Sequence, residues 1–218
     1  MNWLDKLERR FGRFGLSNLM LYVVSTMLFV AIFDMVIGFP LSQYFALIPS
    51  MVMQGQIWRL ITFVFLPPSS SPITLVLALY FYYFIGNTLE NVWGTFRFNV
   101  YYICGIVGCI IAALFTGYGT NTYLNLSLFL AFAYIFPNQQ VLLFFVIPIK
   151  IKYLAYLDWA LFAINLIFGS WATRGAIIAS LVNFFLFFGP DLLDAVKNRR
   201  GNSVQRNFRR YYKNNNRW

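Results

Sequence analysis

Residues 86–97 read Gly-Asn-Thr-Leu-Glu-Asn-Val-Trp-Gly-Thr-Phe-Arg, and they join two long apolar runs, Ile73–Trp93 and Phe98–Thr116. Glu90 lies inside the first run. A charged side chain within such a run is costly in lipid unless it is paired. We therefore predict a structural motif that ties helices together, formed by this stretch and an upstream Trp-Arg pair: Trp58, Arg59, Gly86, Glu90, Gly94 and Arg97.

The composition of the chain excludes an ordinary soluble domain. Of its 218 residues, 60% are hydrophobic, 21% are aromatic and only 11% are charged. A soluble domain carries about 25% charged residues. Because the chain cannot cover itself with a polar surface, the sequence predicts an all-α polytopic membrane protein.

Six apolar stretches predict six transmembrane helices. The fourth and the sixth are shorter than the roughly 20 residues that a spanning helix usually needs. A long connection, Phe39–Ser71, follows the first stretch and is too apolar for a solvated loop. We expect it to form a hairpin embedded in the membrane and packed against protein, since lipid cannot satisfy its backbone. The six stretches are Asn18–Gly38, Ile73–Trp93, Phe98–Thr116, Tyr123–Phe136, Tyr153–Phe168 and Gly175–Phe188.

Three regions follow from this division of the chain. Residues 18–189 form the predicted membrane domain. Residues 1–17 carry apolar and basic side chains at helical spacing, which predicts an amphipathic helix on a membrane surface. Residues 190–218 form a basic tail. Between the fourth and fifth stretches, the apolar residues 141–147 predict a strand-like segment.

The distribution of positive charge predicts the orientation of the chain. With six spans and both termini inside, 15 of the 17 Lys and Arg residues fall on the inner side, and only Arg59 and Arg174 fall outside. Such a bias marks the cytoplasmic side. The net charge of +10 is concentrated at the two ends of the chain. We therefore expect no nucleic-acid partner.

Metal and cofactor sites are not expected. The chain contains no histidine, and its two cysteines, Cys104 and Cys109, sit inside an apolar run. Cysteine in such a run behaves as a small buried hydrophobe.

Small residues in the third and sixth stretches indicate close helix packing. Gly105 and Gly108 lie in the third stretch, and Gly175 and Ala179 form a small-x3-small pair in the sixth. Such pairs let two helix backbones approach closely in a membrane. Asn165 and Asn183, within the fifth and sixth stretches, are expected either to bond between helices or to line a groove.

The order of these motifs resembles the rhomboid superfamily. The resemblance rests on Gly-Gln-Ile-Trp-Arg-Leu-Ile-Thr at 55–62, the stretch from Gly86 to Phe98, Tyr-Tyr-Ile-Cys-Gly at 101–105, and Val-Ile-Pro-Ile-Lys-Ile-Lys at 146–152. It implies a six-helix core with a hairpin half-sunk in the outer leaflet. Arg59 would belong to that hairpin and Glu90 to the second helix, and we expect both to hold the hairpin to the core.

The residues of rhomboid catalysis are missing from this sequence. Active rhomboids carry a serine in a Gly-x-Ser-Gly setting on the fourth helix and a histidine base on the sixth. Here Ser127 lies in Asn-Leu-Ser-Leu without the glycines, and Thr74 and Ala78 fall where the family has its oxyanion donors. A serine without a base is a poor nucleophile. We assign no catalytic residue, and Ser127 remains a weak candidate.

Other bases do not form a convincing dyad with Ser127. Lys150, Lys152 and Asp158 fall on the inner side by the charge rule, whereas the rhomboid site opens outward. Arg174 falls on the outer side, but its guanidinium group does not deprotonate in proteins.

The resemblance is therefore to derlins and other inactive rhomboid relatives. It implies a protein that binds transmembrane clients and perturbs the local bilayer, in quality control or trafficking, with a partner protease or translocation machinery. A bacterial cytoplasmic membrane is favoured, with the endoplasmic reticulum as the alternative. Three other functions remain open: a protease with an unrecognised base, a small transporter and a membrane scaffold.

Overall fold

The computed structural model of the chain describes residues 10, 12, 15–143 and 147–188. The amphipathic helix predicted for residues 1–17 and the basic tail at 190–218 lie almost wholly outside the described residues.

The described chain is helical with one small sheet. Its first helix, α1, continues as a π-helical turn at Phe33–Ile37, and α4 continues as a 3₁₀ turn at Phe63–Phe65. In chain order the elements are α1 Leu19–Ile32, α2 Leu41–Phe45, α3 Pro49–Met53, α4 Arg59–Thr62, α5 Pro72–Trp93, α6 Thr95–Thr116, α7 Thr122–Ile135, β1 Gln140–Leu143, β2 Ile147–Lys150, α8 Ile151–Phe168 and α9 Trp171–Phe188.

Every predicted apolar stretch forms a helix. Five helices in the described part of the chain are long and apolar enough to cross a membrane: α1 with its π-helical turn, α5, α6, α8 and α9. These helices agree with an all-α polytopic membrane protein. The sixth, α7, has 14 residues, which is about 21 Å of helix and shorter than a hydrocarbon core of about 30 Å. The last helix begins at Trp171, four residues before the predicted start at Gly175.

The connection after α1 is an ordered structure built from short helices. Pro40 and Pro49 stand at or next to helix starts, where a missing N–H does no harm. Asp34 Oδ1 accepts a hydrogen bond of 3.2 Å from the backbone N–H of Ser42 at the beginning of α2. The π-helical turn ends at Gly38, whose φ of 73° suits glycine.

Part of the strand-like segment predicted at 141–147 lies outside the described residues, and the described parts belong to two antiparallel strands, β1 and β2, instead of one strand. Gln140 pairs with Lys150, and Val141 pairs with Ile149. The predicted run covers most of β1 but only the first residue of β2, which continues to Lys150. The second strand leads directly into α8, which starts two residues earlier than predicted.

The short helix α7 stands at the centre of the bundle. It contacts α5, α6 and α8, while α1 packs against α5. Nine of its 14 residues are buried, among them Ser127 and Phe132. A helix that is apolar all round belongs inside a protein or in lipid, and α7 is covered by its neighbours.

The chain divides into two compact units, Met1–Asn183 and Phe184–Trp218. The described part of the second unit is the last turn of α9, where Phe184 and Phe188 stack with ring centroids 5.0 Å apart.

Candidate functional site

A cavity of about 710 Å³ lies between α5 and α8. Residues from Thr74 to Phe84 on α5 form one wall, and residues from Leu154 to Leu161 on α8 form the other. The helix α7 contributes Phe129, and β1 contributes Val141. The volume is in the range of pockets that bind small molecules or side chains of a partner.

The rim of the cavity reaches the outer surface of the bundle. Tyr80 on α5 is 61% exposed and Leu157 on α8 is 58% exposed, and both line the cavity. In a membrane protein, exposed apolar side chains on long helices face lipid. The cavity is therefore open at the surface of the bundle between α5 and α8, on a side that we expect to face lipid.

Two buried polar side chains line this largely apolar cavity. Asn125 on α7 is 3% exposed and Asp158 on α8 is 4% exposed. Asn125 Oδ1 and Asp158 Oδ2 have no hydrogen-bond partner within the described ranges. The hydroxyl group of Tyr82, another lining residue, interacts with the Asn125 side chain. Buried acceptors without a partner are uncommon in folded proteins.

Ser127, the weak nucleophile candidate, is not among the residues that line the cavity. Its hydroxyl group is fully buried and lies 2.6 Å from the Tyr101 hydroxyl group on α6. The Tyr101 hydroxyl group also lies 3.1 Å from the Ser127 backbone oxygen. Ser127 thus occupies the contact between α6 and α7, whereas Asp158 faces the cavity.

The positions expected to correspond to oxyanion donors do line the cavity. Thr74 is exposed at the beginning of α5, and Ala78 lies one turn further along. The side chain of Ala78 has no hydrogen-bond donor. Lys150 ends β2, and Lys152 lies over the ring of Tyr153, with Nζ 5.1 Å from the ring centroid.

Arg59 is buried and organises the connection itself. Its side chain is 3% exposed. One terminal nitrogen donates to the backbone oxygens of Gln43 and Ala46 at 2.8 and 2.7 Å. Nε donates to Gln56 Oε1 at 2.7 Å. We expected Arg59 to hold the hairpin to the core, but its hydrogen bonds lie within the connection, because the carbonyl groups at the end of α2 need donors.

Glu90 lies far from the connection and fixes the start of α1. Its Oε1 accepts from the backbone N–H of Asn18 at 2.9 Å and from the Thr95 hydroxyl group at 3.1 Å. Asn99 adds a hydrogen bond of 2.9 Å from Nδ2 to the backbone oxygen of Leu16. The expectation that Glu90 holds the hairpin to the core is therefore wrong. The carboxylate instead accepts from a free N–H at a helix start.

The two glycines of the motif, Gly86 and Gly94, lie where α5 contacts α1 and where α5 is followed by α6. Gly86 is buried, and a Cβ atom there would collide with the side chain of Met20 on α1. Gly94 has a φ of 83° and a ψ of 154° between α5 and α6, a conformation that side chains with a Cβ rarely adopt. Arg97 is half-buried in the first turn of α6, and Trp58 is exposed at the start of α4.

The predicted packing residues meet between α6 and α9. A Cβ atom at Gly108 would lie 3.5 Å from the Ala179 Cβ, and one at Gly175 would lie 2.7 Å from the Thr116 Cγ2. Gly105 faces Leu124 and Asn183.

Asn165 in α8 and Asn183 in α9 behave differently from each other. Asn183 Nδ2 donates across helices to the backbone oxygen of Tyr101 at 3.3 Å. Asn165 Nδ2 donates to the backbone oxygen of Leu161 within its own helix at 2.9 Å. Asn165 is also absent from the residues that line the cavity.

The sequence interpretation missed the residues that do fasten the connection to the bundle. Asn121, buried just before α7, donates from Nδ2 to the backbone oxygens of Val64 and Leu66 at 2.9 Å each. The backbone N–H of Gly119 donates to the oxygen of Leu47 at 2.9 Å. The available signal was an asparagine directly before an apolar run, a position where polar side chains often cap or tether helices.

The comparison with known families covers the whole described bundle. Residues 16–188 match a family described as eukaryotic integral membrane protein (DUF1751). The chain belongs to this family. The DUF1751 match begins just before α1 and ends with α9, so it includes the cavity. This family is eukaryotic, which favours the endoplasmic reticulum over the bacterial membrane that the sequence had favoured. No curated protein matches the chain.

Proposed function

We propose that this DUF1751 protein is a non-catalytic, rhomboid-like membrane protein that binds transmembrane helices of client proteins. The binding site is the cavity between α5 and α8. The proposed setting is quality control or trafficking of membrane proteins in the endoplasmic reticulum, with a partner protease or translocation machinery receiving the client.

The observation that carries the proposal is the cavity and its opening between α5 and α8. A helix already in the bilayer can enter from lipid, past Tyr80 and Leu157, without crossing water. The walls are mostly apolar, with Leu77, Phe81 and Leu161 among the lining residues. Such walls contact apolar client side chains through van der Waals packing, which drives helix association in membranes.

The arrangement around Ser127 supports a non-catalytic role. Acyl transfer needs a nucleophile, a base in hydrogen-bond reach and donors for the oxyanion. Ser127 is fully buried against Tyr101 and is not among the residues that line the cavity. The chain contains no histidine to act as its base.

We also propose that the protein perturbs the local bilayer beside a bound client, and the length of α7 supports this effect. Its 14 residues give about 21 Å of helix, and it lies in the middle of the helices that wall the cavity. A client helix seated beside it would meet a shorter hydrophobic length than a layer of about 30 Å provides. Local thinning is one way in which a bilayer adapts to a short hydrophobic element.

Site-specific photo-crosslinking in nanodiscs tests this function. A photo-reactive residue replaces Leu157 at the rim of the cavity, and a matched control carries it at Ile111, which is exposed on α6 and does not line the cavity. A model transmembrane helix should crosslink from position 157 several-fold more than from 111, and it should stay uncleaved. Equal crosslinking from both positions would show that the cavity is not the binding site.

A further inference from the structure

We infer that the cavity selects membrane helices that carry a side chain with a nitrogen–hydrogen donor, such as Lys, Asn or Gln, within their apolar segment. This inference rests on the proposed function and names the class of client that the cavity would prefer. It comes from two side-chain oxygens, Asn125 Oδ1 and Asp158 Oδ2, which have no hydrogen-bond partner in the described part of the chain.

The two acceptors are positioned as parts of one recognition site. Asn125 comes from α7 and Asp158 comes from α8, and both line the same cavity. Each is more than nine-tenths buried, so bulk water cannot solvate them freely. In the described residues, Asn125 Oδ1 and Asp158 Oδ2 have no donor. Asp158 lies near the middle of α8, away from the ends where a side chain could reach an interface.

An N–H donor on a client helix can form hydrogen bonds with the two acceptor oxygens that lack a partner. An unpaired buried acceptor loses its hydration without compensation, and the loss is larger for a carboxylate. An ammonium group has three N–H donors and no acceptor, and an amide has two donors. Either group can bond to Asp158, and an amide can also exchange hydrogen bonds with Asn125. An all-leucine helix can fill the apolar walls but leaves both acceptors unpaired.

The acceptor oxygens of the cavity can pair with a polar side chain that an unassembled membrane protein exposes to lipid. A polar side chain in a spanning helix is costly in lipid and normally pairs inside a bundle. A subunit that lacks its partner exposes this group to lipid. The cavity offers the group a protein acceptor beside lipid, so the polar residue itself would distinguish an unassembled client from a finished one.

Binding of three matched helices tests the inference. The full chain is placed in nanodiscs, and each helix is a Leu/Ala segment of about 20 residues with a central Leu, Gln or Lys. The Gln and Lys helices should bind about threefold to tenfold more tightly than the Leu helix. This ratio of affinities corresponds to the free energy of a single hydrogen bond between helices in a membrane.

Variants then assign the preference to the two acceptors. Asn125→Leu combined with Asp158→Leu should bring the ratio of affinities close to one. Asp158→Asn keeps the shape of the side chain and should lower the preference for Lys more than the preference for Gln. Ser180→Ala is the matched control, because the buried Ser180 hydroxyl group also has no partner among the residues that the structure describes, but Ser180 does not line the cavity. This variant should keep the wild-type ratios.

Each outcome decides between the two proposals. If the three helices bind equally to the wild-type chain, selection by a donor is refuted and the proposed function stands. A preference that survives in Asp158→Asn and in the double variant would also overturn the inference. If no helix binds, both proposals fail together.

Discussion

The hydroxyl group of Ser127 lies 2.6 Å from that of Tyr101, and both side chains are buried between α6 and α7. The serine that stands nearest to a rhomboid nucleophile in the sequence is therefore part of a helix contact. Its hydroxyl group is paired with that of Tyr101, and Ser127 is not among the residues that line the cavity.

A serine-directed fluorophosphonate should therefore leave Ser127 unmodified. The protein in liposomes is treated with the reagent, and labelling is read by mass spectrometry, with an active serine hydrolase in the same liposomes as the positive control. Labelling requires an activated, accessible hydroxyl group. Modification of Ser127, together with peptide cleavage that disappears in Ser127→Ala, would contradict the non-catalytic function.

Substitution of Arg59 should destabilise the protein. Arg59→Ala leaves the backbone oxygens of Gln43 and Ala46 without their donor, and we expect a loss of about 2 kcal/mol or more. Thermal unfolding in detergent measures it. Arg174→Ala is the control, since that side chain bonds one backbone oxygen in an exposed setting. Equal melting temperatures for both variants would refute the buried role of Arg59.

Substitution of Glu90 should loosen the start of α1. Glu90→Ala removes the acceptor for the backbone N–H of Asn18, whereas Glu90→Gln keeps an oxygen in place. We expect Glu90→Ala to lower stability by about 1–3 kcal/mol and to raise proteolysis near Ser17, with Glu90→Gln close to wild type. Proteolysis that is the same in all three proteins would show that the Glu90–Asn18 contact is dispensable.

Asn121 should control how firmly the connection is attached. Asn121→Ala removes both hydrogen bonds to the backbone oxygens of Val64 and Leu66, so we expect faster hydrogen exchange in the connection than in α5 and α6. Thr120→Ala is the matched control, because its hydroxyl group bonds only locally to Thr122. Uniform exchange changes along the chain would argue against a local tether.

The orientation of the chain can be read by cysteine labelling. In a background with Cys104→Ala and Cys109→Ala, a cysteine at Tyr118, exposed after α6, should react from the outer side. A cysteine at Asn138, exposed after α7, should react from the inner side. The prediction follows from the 15-to-2 division of Lys and Arg. Reaction of both cysteines from one side would refute it.

The sequence by itself determined the positions of the six apolar helices to within four residues, but not the short helices α2, α3 and α4. Six long apolar runs, bounded by proline, glycine and charged residues, coincide with α1, α5, α6, α7, α8 and α9. Apolar length and helix-breaking residues are local properties, so they can be read without knowing what packs against what. The motif residues Glu90 and Arg59 were also recognisable, because charge within an apolar run needs a partner.

Only the tertiary structure decided which groups those residues meet. Arg59 bonds within the connection, Glu90 bonds at the start of α1, and Asn121 makes the link that both had been expected to make. The pairing of Asn125 and Asp158 in one cavity joins residues from two helices. Hydrogen-bond partners far apart in the chain depend on how helices are packed and rotated, and the apolar pattern of a single helix does not contain that information.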